Sequence, residues 1–157
     1  MHSRIFQVSK KRITKDNRIE EWRYEDDFVG RIADYVVKTE DTDNDLKWLT
    51  TCKKGIKVNK KSRVITLEIV SKEEYFEQSF EEFKGFIKKF NDYTLSDFID
   101  SRNWFDFYQL KDSYDDKHAF YIDDNDEYFG IATLDEFMRN VEDGDIYYIG
   151  NIFDYHY

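Results

Sequence analysis

The sequence predicts one α+β domain over residues 1–157, with an antiparallel or mixed sheet and three to four helices packed on it. Three observations carry that expectation. VITLEIV sets Ile65, Leu67 and Ile69 on one face of a strand and Val64, Thr66, Glu68 and Val70 on the other. SKEEYFEQSFEEFKGFIKKFND has the 3.6-residue apolar period of a helix. Aromatic residues form 18% of the 157, against three alanines, so rings fill the core even though 37% of the chain is charged.

The elements follow in order. Residues 4–8 form a first strand, followed by the basic turn SKKR. In EDDFVGRIADYVVK, Phe28, Ile32, Tyr35 and Val36 are spaced for a helix, with Asp26 and Asp27 as its capping acids. The acidic linker KTEDTDND leads to a short helix holding Leu46, Trp48 and Leu49, which Gly55 ends or closely follows. Residues 56–58 and 64–70 flank NKKS as a hairpin, whose second strand is central or nearly so. In the long helix, Phe76, Phe80, Phe83, Ile87 and Phe90 make a continuous stripe, read as a face of the core in preference to a dimer seam. Glutamates fill its early turns and Lys88 and Lys89 its last, as the helix dipole favours.

TLSD opens a second short helix at Thr94, and SRNWFDFYQLKDSY fits either a helix or an extended segment. Residues 118–122 and 128–131 flank the acidic turn DDNDE as a hairpin. TLDE starts a helix at Thr133 that stops near Gly144, and GDIYYIGNIFDYHY ends the chain in strands with a turn or bulge at Gly150 and Asn151.

The net charge of −10 is unevenly divided. Residues 1–72 hold 17 basic and 12 acidic side chains, and residues 73–157 hold 7 and 22. The acidic half either meets a charged partner or faces the basic half inside one fold. Cys52 is the sole cysteine, and no apolar run is long enough for a signal peptide or a membrane span. A cytoplasmic protein is expected. The Lys, Asn, Ile, Phe, Tyr and Asp bias is what an AT-rich genome encodes, such as that of a low-GC bacterium or its phage.

No motif names an enzyme. A calcium loop starting at Asp123 would put Tyr128 where glycine is required and Leu134 where glutamate is required. His2, His118 and His156 lack a ligand cluster, although Asp154 and His156 share a strand face. Cys52 has Lys53 and Lys54 beside it to lower its pKa, yet a lone cysteine after an apolar helix is more often packing. Six glycines with no phosphate loop leave no nucleotide cradle. Neither a cofactor nor a metal is expected. The basic clusters at 10–12, 53–54 and 60–63 suit phosphates, but the overall negative field opposes direct nucleic-acid binding.

The leading expectation is a non-enzymatic acidic interaction module that binds a basic protein surface. In its sharper form the chain inhibits a nucleic-acid-binding protein by mimicking a phosphate backbone, as a phage counter-defence or antirestriction factor would. One row of carboxylates is Glu73, Glu74, Glu77, Glu81 and Glu82; the other is Asp112, Asp115, Asp116, Asp123, Asp124, Asp126 and Glu127, with Tyr114, Tyr121 and Tyr128 as anchors. The alternatives are an accessory domain acting through an aromatic homodimer or docking interface, and a small hydrolase or metal-dependent enzyme using His118 and His156.

Overall fold

In the computed structural model, described here for residues 1–124 and 130–157, the two ends of the chain meet in the middle of the sheet. β1 (His2–Ser9) pairs antiparallel with β7 (Ile146–His156). β4 (Val64–Ile69) lies on β7's other edge and forms a hairpin with β3 (Ile56–Lys61). Beyond β4 on that edge, β7 takes up β2 (Tyr35–Lys38). β5 (Tyr121–Asp124) runs parallel to β1 and carries β6 (Ile131–Thr133) antiparallel. The order β3-β4-β7-β1-β5-β6, with that one parallel pair, makes a mixed sheet.

A bulge in β7 decides which of its residues reach each face. Phe6 pairs with Ile152 but Val8 with Ile149, so Gly150 and Asn151 together oppose Gln7. The extra residue shifts the alternation: Tyr147, Ile149 and Ile152 join one apolar cluster while Phe153 and Tyr155 join the other. Fully buried Gln7 holds the bulge together. Its Oε1 accepts from the backbone N–H groups of Asn151 (3.0 Å) and Ile19 (3.2 Å), and its Nε2 donates to the Asn17 carbonyl at 2.7 Å. A Cβ on Gly150 would lie 2.3 Å from Gln7 Oε1, so the expected bulge has a packing reason for its glycine.

The first sheet face packs under α1 (Thr42–Cys52) and α5 (Leu134–Asn140), through Leu46, Leu49, Leu134, Phe137 and Met138. The second is closed by the irregular segment ahead of β2, whose Ile19, Tyr24, Phe28 and Ala33 pack on Ile5, Tyr121, Phe153 and Tyr155. Three further helices, α2 (Lys72–Asn91), α3 (Leu95–Ile99) and α4 (Trp104–Tyr114), extend away from this core. Five α-helices are thus present among the described residues, α4 being the segment whose sequence fitted either state. None is long and apolar enough to cross a membrane.

Two expectations are corrected. The helix expected around Phe28, Ile32, Tyr35 and Val36 is instead a 3-10 turn at Glu21–Tyr24, a tight loop and then β2. Gly30 sits at φ +82° and its N–H bonds to the Ala33 carbonyl at 2.8 Å, which closes the loop. Val36 and Val37 then gain ladder pairing with Tyr155 and Asp154, the preferred use of β-branched residues.

In the α2 stripe Phe76 alone packs against the sheet core, and it is half-buried. Only Tyr75 is buried, while Phe80 is 57% and Ile87 40% exposed. Of the 118–131 hairpin, the β5 and β6 pairing is present, but β5 starts at Tyr121 and takes in Asp123 and Asp124 of the expected turn; Asn125, Asp126 and Glu127 lie outside the described residues.

Candidate functional site

The arm formed by α2, α3 and α4 carries the residues that the core leaves unused. It is rooted at α2's first turn, where Ser71 Oγ accepts the Glu74 N–H at 3.1 Å. One step further, Tyr75 turns into the core and donates its hydroxyl to Asp135 at 2.6 Å, with Lys53 Nζ 3.5 Å from the same oxygen. Burial pushes the Tyr75 hydroxyl pKa far up, so it stays protonated as the donor. Gly55 permits the root: a Cβ there would lie 2.1 Å from the Ser71 carbonyl oxygen.

Beyond Phe76 the helix leaves the sheet and rests on α4. The Phe90 and Phe107 rings stack at 4.5 Å, and Phe98 meets Phe107 edge-on at 6.2 Å. Asp106 joins the helices by accepting from Lys89 Nζ at 2.6 Å and from the Tyr93 hydroxyl at 2.5 Å. The Lys89 hydrogen bond, followed by that of Tyr93, holds the Asp106 carboxyl below its ordinary pKa, and the Tyr93 hydroxyl is pushed up to about 12. α3 is set by a capping box between Thr94 and Asp97.

The rest of the arm's apolar surface is open. Of the sixteen large hydrophobic residues exposed among the described residues, ten belong to the arm. Leu95, Phe98 and Ile99, at i, i+3 and i+4 of α3, are 75%, 70% and 72% exposed, so the short helix turns its apolar side outward. Trp104, Phe105 and Tyr108 are likewise exposed on α4. With aromatic side chains of about 150–250 Å² each, the arm exposes on the order of 1,000 Å² of apolar side chain, spread over α2, α3 and α4.

The two expected carboxylate rows fare differently. Glu73, Glu74, Glu77, Glu81 and Glu82 are all exposed on α2. Among the described residues, the second row is largely engaged within the chain. Asp123 is fully buried and paired with Arg23, at 2.7 Å from Nε and 3.1 Å from Nη2. Asp115 accepts the Thr133 hydroxyl at 2.6 Å, and Asp116 accepts the His118 N–H at 2.8 Å. Asp112 is half-buried, with its carboxyl pKa raised first by desolvation and then by Asp116. Asp124 is half-buried and engaged, while Asp126, Glu127 and Tyr128 lie outside the described residues. Tyr121 is buried and donates to the Lys117 carbonyl at 2.8 Å, which removes it as an anchor; Tyr114 is exposed, with the Arg139 guanidinium 4.1 Å above its ring.

Part of the charge division is internal. Arg4 pairs with Asp154, Lys10 with Asp145 (2.7 Å), Arg23 with Asp123 (2.7 Å) and Lys53 with Asp135 (3.5 Å), each joining the basic half to the acidic half. Opposite charges thus join the two halves within one fold.

The chemistry candidates are separately engaged. His118 stacks on Tyr157 at 4.1 Å, and burial lowers its imidazole pKa. His156 pairs with Asp34 at 3.0 Å and His2 with Asp154 at 2.9 Å, so Asp154 serves His2 and Arg4 in place of His156. Cys52 is exposed. Among the described residues no group of three or more His, Cys, Asp or Glu side chains is placed to hold a metal. A cleft of about 460 Å³ between β5, β6, α5 and the start of β7 has Ile122, Ala132, Phe137 and Val141 in its lining. Its Lys10 and Asp145 are hydrogen-bonded, which raises the first pKa and lowers the second, so both are held ionised.

Sequence reasoning missed Leu95, Phe98, Ile99, Trp104 and Phe105 as surface residues. The available signal was α4 itself, whose apolar residues run all round the helix and cannot all enter one core. No protein-family model matches the chain, and neither a curated protein nor a solved structure does.

Proposed function

We propose that the chain is a non-enzymatic protein-interaction module whose working part is the helical arm 72–114, and that its partner is a protein offering an apolar pocket with a basic rim. The observation that carries this reading is the α3 knob. Leu95, Phe98 and Ile99 project from a helix that carries Asp97 and is flanked by Asp92 and Asp100, and the arm as a whole has ten acidic against six basic residues. Apolar anchors supply affinity in such a contact, while carboxylates steer the approach to a basic surface.

The test compares quantitative captures by the wild-type chain and by a Leu95→Ser, Phe98→Ser, Ile99→Ser variant, with stepwise salt elution. The reading expects a protein retained by the wild type and lost from the variant, while circular dichroism of the two stays equal. Retention by both would overturn it.

A second form of this reading is competition with nucleic acid for the same partner, favoured by the five exposed glutamates of α2. It expects the captured protein to be released by added DNA or RNA as well as by moderate salt.

A further inference from the structure

We infer that α2 pairs with α2 of a second copy of this chain, antiparallel across a two-fold axis that passes between Phe80 and Glu81. This contact is independent of what the α3 knob binds.

α4 covers the side of α2 that bears Phe90, leaving an open flank with Phe80, Ile87 and the charges beside them. That flank is divided. Glu73 and Glu77 lie on its first half, Lys84 and Lys88 on its second. At 100° per residue these four positions fall within about 60° of one another around the helix. The charge order reverses along the axis, so the surface is complementary to itself only when two copies run antiparallel.

Centring the axis between Phe80 and Glu81 sets Glu77 opposite the partner's Lys84 and Glu73 opposite the partner's Lys88. The two-fold repeats both pairs, and the Phe80 rings meet beside the axis. Among the described residues, Glu73, Glu77 and Lys88 have no ion-pair partner within the chain. Lys84 contacts Glu81 at 2.6 Å, an exposed i, i+3 pair worth little in water and readily exchanged.

Shape agrees with charge. Along the first half of α2 runs a shallow groove of about 530 Å³, with Phe76 and Phe80 in its lining and Glu73 and Glu77 beside them. The second half offers what fills such a groove: Ile87, 40% exposed and flanked by lysines. In the antiparallel register, the groove of each copy receives Ile87 of the partner subunit.

The experiment is sedimentation equilibrium over a wide concentration range, under reducing conditions so that exposed Cys52 cannot cross-link copies. The wild type is expected to show a reversible monomer–dimer equilibrium that weakens with salt. Glu77→Lys and Lys84→Glu each place like charges opposite one another twice, and each is expected to raise the dissociation constant about tenfold. The double variant Glu77→Lys, Lys84→Glu restores opposite charges and is expected to recover the dimer, which a local folding defect would not do. A monomer at all concentrations, or a dimer indifferent to both single substitutions, overturns the inference and leaves the α3 reading untouched.

Discussion

Phe90 and Phe107 stack with their planes 23° from parallel and their centroids 4.5 Å apart, which pins the far end of α2 to α4. Asp106 stands beside that stack and takes hydrogen bonds from Lys89 and Tyr93. The far end of the arm is therefore held by one aromatic cluster and one carboxylate, while Tyr75 and Lys72 tie its root to the core domain.

Phe107→Ala removes the centre of this cluster, since Phe90, Tyr93 and Phe98 all contact that ring. For a half-exposed aromatic the expected loss is about 1.5 kcal/mol, below the 3–5 kcal/mol typical of a core phenylalanine. Hydrogen exchange is expected to quicken in α3 and α4 while β1 and β7 keep their protection.

Acid acts on the arm through the same contact. Asp106 is lowered by Lys89 and Tyr93, Asp97 by the Thr94 backbone N–H and Asp100 by Arg102. A carboxylate whose pKa falls on folding contributes stability fully present above its unfolded value near 4 and lost as pH drops through the folded value. Below about pH 4 the arm is expected to loosen. Asp106→Asn should remove the Asp106 share of that dependence and leave that of Asp97 and Asp100, as read by Trp104 fluorescence with Trp22 and Trp48 replaced by phenylalanine.

Arg23→Ala leaves buried Asp123 without its partner. Asp123 is buried but the Arg23 side chain is 42% exposed, so the cost is about 1–3 kcal/mol, below that of a fully buried pair. Urea denaturation should show that loss, as expected of a structural carboxylate rather than a docking one.

Gly55→Ala is expected to destabilise by roughly 2 kcal/mol or more, because Gly55 has φ +68° and the new Cβ would strike the Ser71 carbonyl. Equilibrium unfolding measures the cost, and α2's root is the segment expected to shift.

The fold was legible wherever local pattern and tertiary demand agreed. VITLEIV, the capped α5 and the Gly150 bulge have the forms their residues predict, because alternation, capping and glycine placement act over a few residues. The segment around Phe28 was misread because its helical spacing arose by coincidence across a loop that Gly30 closes. α2 showed its period truthfully, but a stripe does not say what covers it. Here the cover is partial and comes from α4, whose apolar residues carry no period. Asp123 illustrates the remaining gap: within YIDD it looks like one acid of a solvated run, and only the β1–β5 pairing puts it inside, beside Arg23 from a hundred residues away.

The most direct test of the central claim is site-specific photo-cross-linking. A benzophenone amino acid replaces Phe98 in one preparation and Trp22, exposed but outside the arm, in another. The account predicts a discrete adduct with another protein from position 98 and none from position 22. An adduct from position 22 alone, or none from position 98, would contradict it.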